Sequence, residues 1–121
     1  MTDPRQWCET LFARIDAKNS REIAAYLSAD AQFRFGSAPV IAGTAAIIQS
    51  LDEFFCGIAA LSHRIFDVWE ISDHRICRGE VRYRRLDGKE VNAPFCNVFT
   101  MRDGKISRYD IYVDPTPLVT R

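Results

Sequence analysis

The stretch RICRGEVRYRRLDGKEVNAPFCNVFTM, residues 75–101, decides the fold. Cys77, Gly79, Val81 and Tyr83 alternate with Arg78, Glu80, Arg82 and Arg84, and a period of two marks a strand with one buried face. The first set must be the buried one, because a row of charged side chains cannot leave water without partners. Asp87-Gly88 then supplies a hairpin turn, since glycine accepts the positive φ that such turns require. Beyond it Val91, Ala93, Phe95, Asn97, Phe99 and Met101 form a second set on one face. The stretch therefore reads as an antiparallel hairpin whose odd-numbered residues look inward.

The same grammar extends to both sides. A run over 63–71 joins the hairpin through Ser72-Asp73-His74, and a run over 105–113 joins it through Arg102-Asp103-Gly104. On the last run Tyr109, Ile111 and Val113 oppose Asp110, Tyr112 and Asp114, and Asp114-Pro115-Thr116-Pro117 stops it. Four consecutive strands make a meander.

Upstream the period is helical. Asp3, Pro4 and Gln6 read as an N-cap, a first-turn proline and a capping-box partner. Trp7, Cys8, Leu11, Phe12 and Ile15 then recur at helical spacing, which predicts a helix to about Lys18. Ser20 caps a second, shorter helix that buries Ile23, Ala24 and Leu27. Ala31, Phe33 and Phe35 alternate with Gln32 and Arg34 in a short strand, which Gly36-Ser37-Ala38-Pro39 breaks. Gly43-Thr44 opens a third helix with Ile47, Ile48, Leu51, Phe54, Phe55 and Ile58 as its broad apolar face. Helices followed by a meander predict an α+β fold, with N-terminal helices packed in the concave face of a strongly bent, mostly antiparallel sheet. At 121 residues the chain is expected to be one domain over 1–121.

Composition narrows the function. Sixteen Lys plus Arg balance sixteen Asp plus Glu, whereas a protein that neutralises phosphates carries a basic surplus, so no nucleic acid is expected as partner. No apolar run approaches the roughly 20 residues of a membrane helix. Met1-Thr2-Asp3-Pro4-Arg5 lacks a secretory apolar region, which points to the cytoplasm. Cys8, Cys56, Cys77 and Cys96 form no CxxC pair, and only two histidines accompany them, so no metal site is expected. The four thiols read as small buried apolar residues of a reducing compartment.

The order of elements is similar to that of a known family. A strand between the second and third helices precedes a meander that ends in Arg102-Asp103-Gly104-Lys105-Ile106 and Tyr112-Val113-Asp114-Pro115. Together with Ser28-Ala29-Asp30-Ala31 and Ala42-Gly43-Thr44-Ala45-Ala46-Ile47, this layout resembles the SnoaL-like branch of the nuclear-transport-factor-2-like, cystatin-like α+β cone superfamily. The resemblance spans Trp7 to Asp114. It implies a sheet curled around a conical cavity, in a group that holds ketosteroid isomerases, limonene-epoxide hydrolases, polyketide cyclases, scytalone dehydratase and non-enzymatic binding modules. Fold does not settle function in such a group.

The residues depart from two of those mechanisms. The positions that would carry the Arg and Asp residues of the epoxide-hydrolase pattern hold Gly79, Val81 and Ile111, and those of its pocket Tyr and Asn hold Phe33 and Phe35. In the ketosteroid-isomerase pattern the base position holds Phe35, the tyrosine position holds Leu11, and the oxyanion acid corresponds to Asn97. An Asn amide can still donate a hydrogen bond to a carbonyl or enolate oxygen, but no base remains there to remove a proton.

Asn97 interrupts an apolar face, where a lone amide costs about 1–3 kcal/mol. It either orients a polar group of an apolar ligand or bonds a neighbouring protein group. His63 is a general acid or base, or a half-exposed histidine at the rim. Asp67, on its side of the strand, is about 13 Å away at 3.3 Å per residue, too far to orient it. Asp67 itself is turned outward by a bulge or paired with an arginine, and His74 lies in a surface turn. Tyr83 and Tyr109 either present hydroxyls to the cavity or pack as core. Phe33, Phe35, Trp69, Phe95 and Ile111 are core by default, and become ligand-binding walls if the cone is hollow. Arg78, Arg82, Arg84 and Arg85, with Glu80 among them, read as a solvated or dimer-facing sheet surface.

Two functions follow. One is a SnoaL-like protein that binds a small apolar, carbonyl-bearing ligand, as an isomerase, cyclase or dehydratase. Asn97 would then be the polar anchor, His63 or a tyrosine the acid or base, and no cofactor would be needed. The other is a non-catalytic binding or dimerisation module of the same fold. The resemblance implies a homodimer through the outer sheet face, where Cys96, Val98 and Tyr112 would otherwise be exposed.

Overall fold

The first helix starts as its sequence requires. The Asp3 carboxylate accepts the backbone N–H of Arg5 at 3.4 Å, and Pro4 occupies the first helical position of α1, Pro4–Asp16. The computed structural model describes residues 3–119. Helix α1 buries Cys8, Leu11, Phe12 and Ile15. It is followed by α2, Ser20–Ala24, whose cap is Asn19 rather than Ser20: the Asn19 amide oxygen accepts the Glu22 N–H at 3.2 Å. The remaining elements are β1 (Leu27–Phe35), β2 (Ile41–Ala42), α3 (Thr44–Cys56), β3 (Ile58–Ile71), β4 (His74–Arg85), β5 (Glu90–Arg102), β6 (Lys105–Val113) and α4 (Thr116–Val119). Strand β2 and helix α4 are too short to leave a periodic signal in the sequence.

The six strands form one sheet in the order β2-β1-β6-β5-β4-β3. Every neighbouring pair is antiparallel except β1 with β6, which run parallel. The fold is thus α+β, a curved and mostly antiparallel sheet with the N-terminal helices on its inner face. Its core joins Cys8, Leu11 and Phe12 of α1, Ile47 and Phe55 of α3, and the inward residues of β1, β4, β5 and β6.

Strand parity holds through β4 and β5. Cys77, Gly79, Val81 and Tyr83 are buried, while Arg78, Arg82 and Arg84 are exposed. On β3 it breaks twice, between Ile58 and Ala60 at the start of the strand and between Ile65 and Asp67 further on. Ile65 pairs with Gly79 and Asp67 with Arg78, so Phe66 is an extra residue, a bulge. Past it the faces exchange: Val68 packs toward the core, while Trp69 is 45% exposed and Ile71 60%. Trp69 is therefore not a cavity wall, contrary to the alternation carried on from His63. The bulge sits opposite Gly79, where a Cβ would collide with the Arg64 carbonyl oxygen. A glycine there lets the bulged strand close in.

Asp67, turned outward, pairs with Arg78 at 2.7 Å. Arg82 and Arg84 share Glu90, and Arg85 reaches Asp87 at 2.9 Å, so the arginine row is matched by carboxylates. The thiols depart from a uniformly buried set, since Cys8 and Cys77 are buried but Cys56 is exposed. No helix of the described residues is long and apolar enough to cross a membrane.

Strand β3 is an edge, and α1 covers it. The Arg5 guanidinium donates to the carbonyls of Ile65 and Phe66 at 3.1 and 3.2 Å, and the Lys18 ammonium to those of Ile58 and Ala59 at 2.9 and 3.2 Å. An unpaired edge invites another strand, and these side chains close it. They also fix helix against strand where the site is built.

Candidate functional site

Between the helices and the inner sheet face lies a cavity of about 220 Å³. Cross-strand register assembles its floor. Phe33 lies beside Tyr109, Phe35 and Asn97 each beside Ile111, and Phe95 beside Val113. Leu61 pairs with Tyr83 and His63 with Val81 at the other side. Ile15, Leu51, Phe54 and Phe55 close the cavity from the helices. Phe33, Phe35, His63, Tyr83, Phe95, Asn97, Tyr109 and Ile111 all line it, and Trp69 alone of the sequence-selected residues does not.

His63 is not a rim histidine. Its side chain is 10% exposed. The ring stacks on Phe12 at 4.5 Å between centroids and meets the edge of Phe95 at 5.3 Å. Asp16, the last residue of α1, holds it twice: one carboxylate oxygen lies 2.6 Å from Nδ1 and the other accepts the His63 backbone N–H at 2.9 Å. That N–H is free to point at α1 because β3 is an edge strand. With Nδ1 held by Asp16, Nε2 is the nitrogen left for a ligand.

Asp16 is the functional candidate that the periodicity did not expose. Its signal was positional. An acid at a helix C-terminus faces the negative end of the macrodipole, where a cation is favoured. Such a residue needs a reason, and the reason is His63, 47 positions away.

Asn97 is 1% exposed, and its Oδ1 has no hydrogen-bond partner in the protein. Its cross-strand neighbours, Cys77 and Ile111, offer it no polar side chain. Burial, then the nearby charge of Asp16, pushes the Tyr83 hydroxyl up to about 12. Burial drives the Tyr109 hydroxyl far above the ordinary tyrosine range, and Tyr83 adds to the effect. Both are neutral donors at physiological pH. Cys77, hydrogen-bonded to Cys8 and buried, has its thiol held well up, so it packs as a neutral group rather than serving as a nucleophile. Among the described residues no three His, Cys, Asp or Glu side chains gather as a metal site.

The chemical content is compact: an apolar chamber, a carboxylate-held imidazole, two neutral phenols and an amide whose buried oxygen has no partner. A family model described as a SnoaL-like domain matches residues 8–109. No curated protein matches the chain. Among solved structures, a nuclear-transport-factor-2-like protein of unknown function from Burkholderia pseudomallei K96243 is 14% identical, with TM-score 0.89 over 100% of both chains. TerC, co-crystallised with polyporic acid, is 18% identical with TM-score 0.82, over 94% of this chain and 93% of its own. A candidate SnoaL-like polyketide cyclase from Jannaschia sp. CCS1 is 17% identical with TM-score 0.77, over 94% and 92%. At these identities the likeness is one of fold.

Proposed function

The chain belongs to the SnoaL-like domain family, and from that premise we propose that its cavity takes a small, mostly apolar carbonyl compound and moves a proton on it, as an isomerase, cyclase or dehydratase does. One observation carries the reading. The His63 imidazole forms part of the wall of an apolar chamber while Asp16 holds Nδ1 at 2.6 Å. A carboxylate partner fixes the tautomer and supports the imidazolium that forms when Nε2 takes a proton. The base thus comes from β3 and α1, not from the position on β1 where Phe35 stands.

Each remaining part has a role. The aromatic walls exclude water, which strengthens every polar contact inside. The Tyr83 and Tyr109 hydroxyls are neutral donors for a carbonyl oxygen as it gains charge. Asn97 anchors a polar group of the ligand. The names of the two fold relatives, one crystallised with polyporic acid and one described as a candidate polyketide cyclase, fit a small organic ligand.

The test uses 2-tetralone, a bicyclic enolisable ketone, in D₂O. Proton NMR should record protein-dependent deuterium exchange at its α-carbons, reduced roughly hundredfold in His63→Gln, the scale of a lost general base. Binding without protein-dependent exchange would make the chain a non-catalytic binding module. Absence of binding would remove the ligand reading itself.

A further inference from the structure

The wall of the cavity is not equally thick all round. Of the residues that line it, only Ala38 and Pro39 are exposed to solvent. Phe35 and Ile41, on either side of them in the chain, are half-buried, as are Ile111 and Val113 on β6. Deeper in, Phe33, Val81 and Phe95 are buried. At the far edge of the sheet His63 is stacked on Phe12 and held by Asp16, which closes the wall there. The thin place is the segment that joins β1 to β2.

That segment is built as a strap with fixed ends. Gly36 and Gly43 both have left-handed φ, 57° and 94°, values that glycine takes without steric cost. Each is fastened through its backbone N–H, Gly36 to the Ile111 carbonyl and Gly43 to the Ala31 carbonyl, both at 2.8 Å. Just beyond, the Thr44 hydroxyl donates to the Ser28 carbonyl at 2.8 Å and secures the start of α3.

Between the two glycines the hold is slight. Sheet pairing is confined to Gln32 with Ala42 and Phe33 with Ile41. The Ala38 N–H closes a turn onto the Phe35 carbonyl at 3.0 Å, and Pro39 has no N–H to give. One side chain ties the middle down: the exposed Arg34 guanidinium donates to the Ala38 carbonyl at 3.1 Å. Few bonds, all near water, mark a segment that opens at low cost. An apolar cavity of about 150 Å³ holds one benzene ring, and this one measures about 220 Å³. A ring that enters past Ala38 and Pro39 must displace them.

We propose that residues 37–40 are the door of the cavity, swinging between Gly36 and Gly43, with the Arg34 guanidinium as its latch. The inference rests on the reading of the cavity as a small-molecule site. It assigns the ligand's path to the β1–β2 side, so that the end of the ligand that enters first meets the deep aromatic walls and the end that enters last lies under Ala38 and Pro39.

A door and a wall respond differently when loosened. A door changes the rates of entry and exit together, whereas a wall that loses contact with the ligand weakens binding through exit alone. Stopped-flow fluorescence with 2-naphthol as probe should show association and dissociation both rising roughly threefold in Arg34→Ala, as the loss of one exposed hydrogen bond allows, with less than a twofold change in Kd. Hydrogen exchange on the ligand-free protein should show the Ser37, Ala38 and Val40 amides exchanging at least roughly tenfold faster than those of Gly36 and Gly43. A rise in dissociation alone, or unchanged rates with binding intact, would overturn the door and leave the small-molecule site standing. So would strap amides as well protected as the two hinges. If 2-naphthol binds neither protein, the small-molecule reading falls, and the door with it.

Discussion

Asp16 grips His63 through both carboxylate oxygens, one on the ring and one on the backbone N–H. The backbone contact locks the end of α1 to the edge of β3. The ring contact, at 2.6 Å, orients the imidazole. Asp16→Asn keeps a group of the same size that can still accept the backbone N–H, but it removes the charge. Exchange of the 2-tetralone α-protons should fall by roughly tenfold to hundredfold, while the thermal midpoint moves by only a few degrees. A loss of stability matching the loss of exchange would reduce Asp16 to an edge clamp.

Gly79 is the hinge of the bulge that reverses β3. A Cβ there would run into the Arg64 carbonyl, which is backbone and cannot rotate away. Gly79→Ala should destabilise the protein by about 3 kcal/mol, at the upper end of overpacking costs, as measured by urea unfolding. A change of less than about 1 kcal/mol would mean that the strand crossing is looser than it stands here.

Asn97→Leu should act in the opposite sense. The substitution removes an unpaired buried acceptor and keeps the volume, so the ligand-free protein should be unchanged or gain up to about 1 kcal/mol. Core substitutions generally cost stability. A loss of more than about 2 kcal/mol would show that Asn97 is tied into the protein.

The buried tyrosines set an alkaline limit. Tyr83 ionises at about 12 in the folded chain, against an ordinary value of about 10 once unfolded. Above pH 10 the unfolded chain releases the proton first and the folded state is disfavoured. Stability from this group is fully present below pH 10 and declines by about 1.4 kcal/mol per pH unit until the folded-state value is reached. Tyr109, raised further, adds a second such slope. Unfolding followed with tyrosinate absorbance at 295 nm should show the steep loss, and Tyr83→Phe should remove part of it.

The outer sheet face carries an apolar stripe. Trp69 on β3 lies beside Ile76 on β4, which lies beside Val98 on β5, and Cys96 neighbours Tyr112. Trp69 and Tyr112 are 45% and 59% exposed. A second copy of the chain is the expected cover, because a two-fold axis lets one patch serve both partners. Light scattering should give twice the 13.8 kDa of a single chain, and Trp69→Lys should shift it toward the monomer. A clean monomer for the unaltered protein would discard the idea.

Several parts of this arrangement were legible as residues. Asp87-Gly88 and the alternation around it identified β4 and β5, because turn chemistry and the burial of charge act over a few neighbours. Asn97 stood out for the same reason, a polar residue in an apolar row. Trp69 faces outward because β3 bulges at Phe66, which Gly79 permits from the neighbouring strand and which β3 alone does not announce. The partner of His63 was not legible, because Asp16 lies 47 positions away at the end of α1 rather than along the same strand at Asp67.

What the sequence by itself determined is therefore the local periodicity: which strands exist, which faces are apolar, and that the interior of the meander holds almost no charge. Tertiary structure alone decided that Asp16 meets His63 and that Asn97 is left with an open oxygen. The first depends on packing a helix end against a sheet edge and the second on which side chains surround an inner position of β5, and contact between positions far apart in the chain is set by the closure of the whole core rather than by any residue's neighbours.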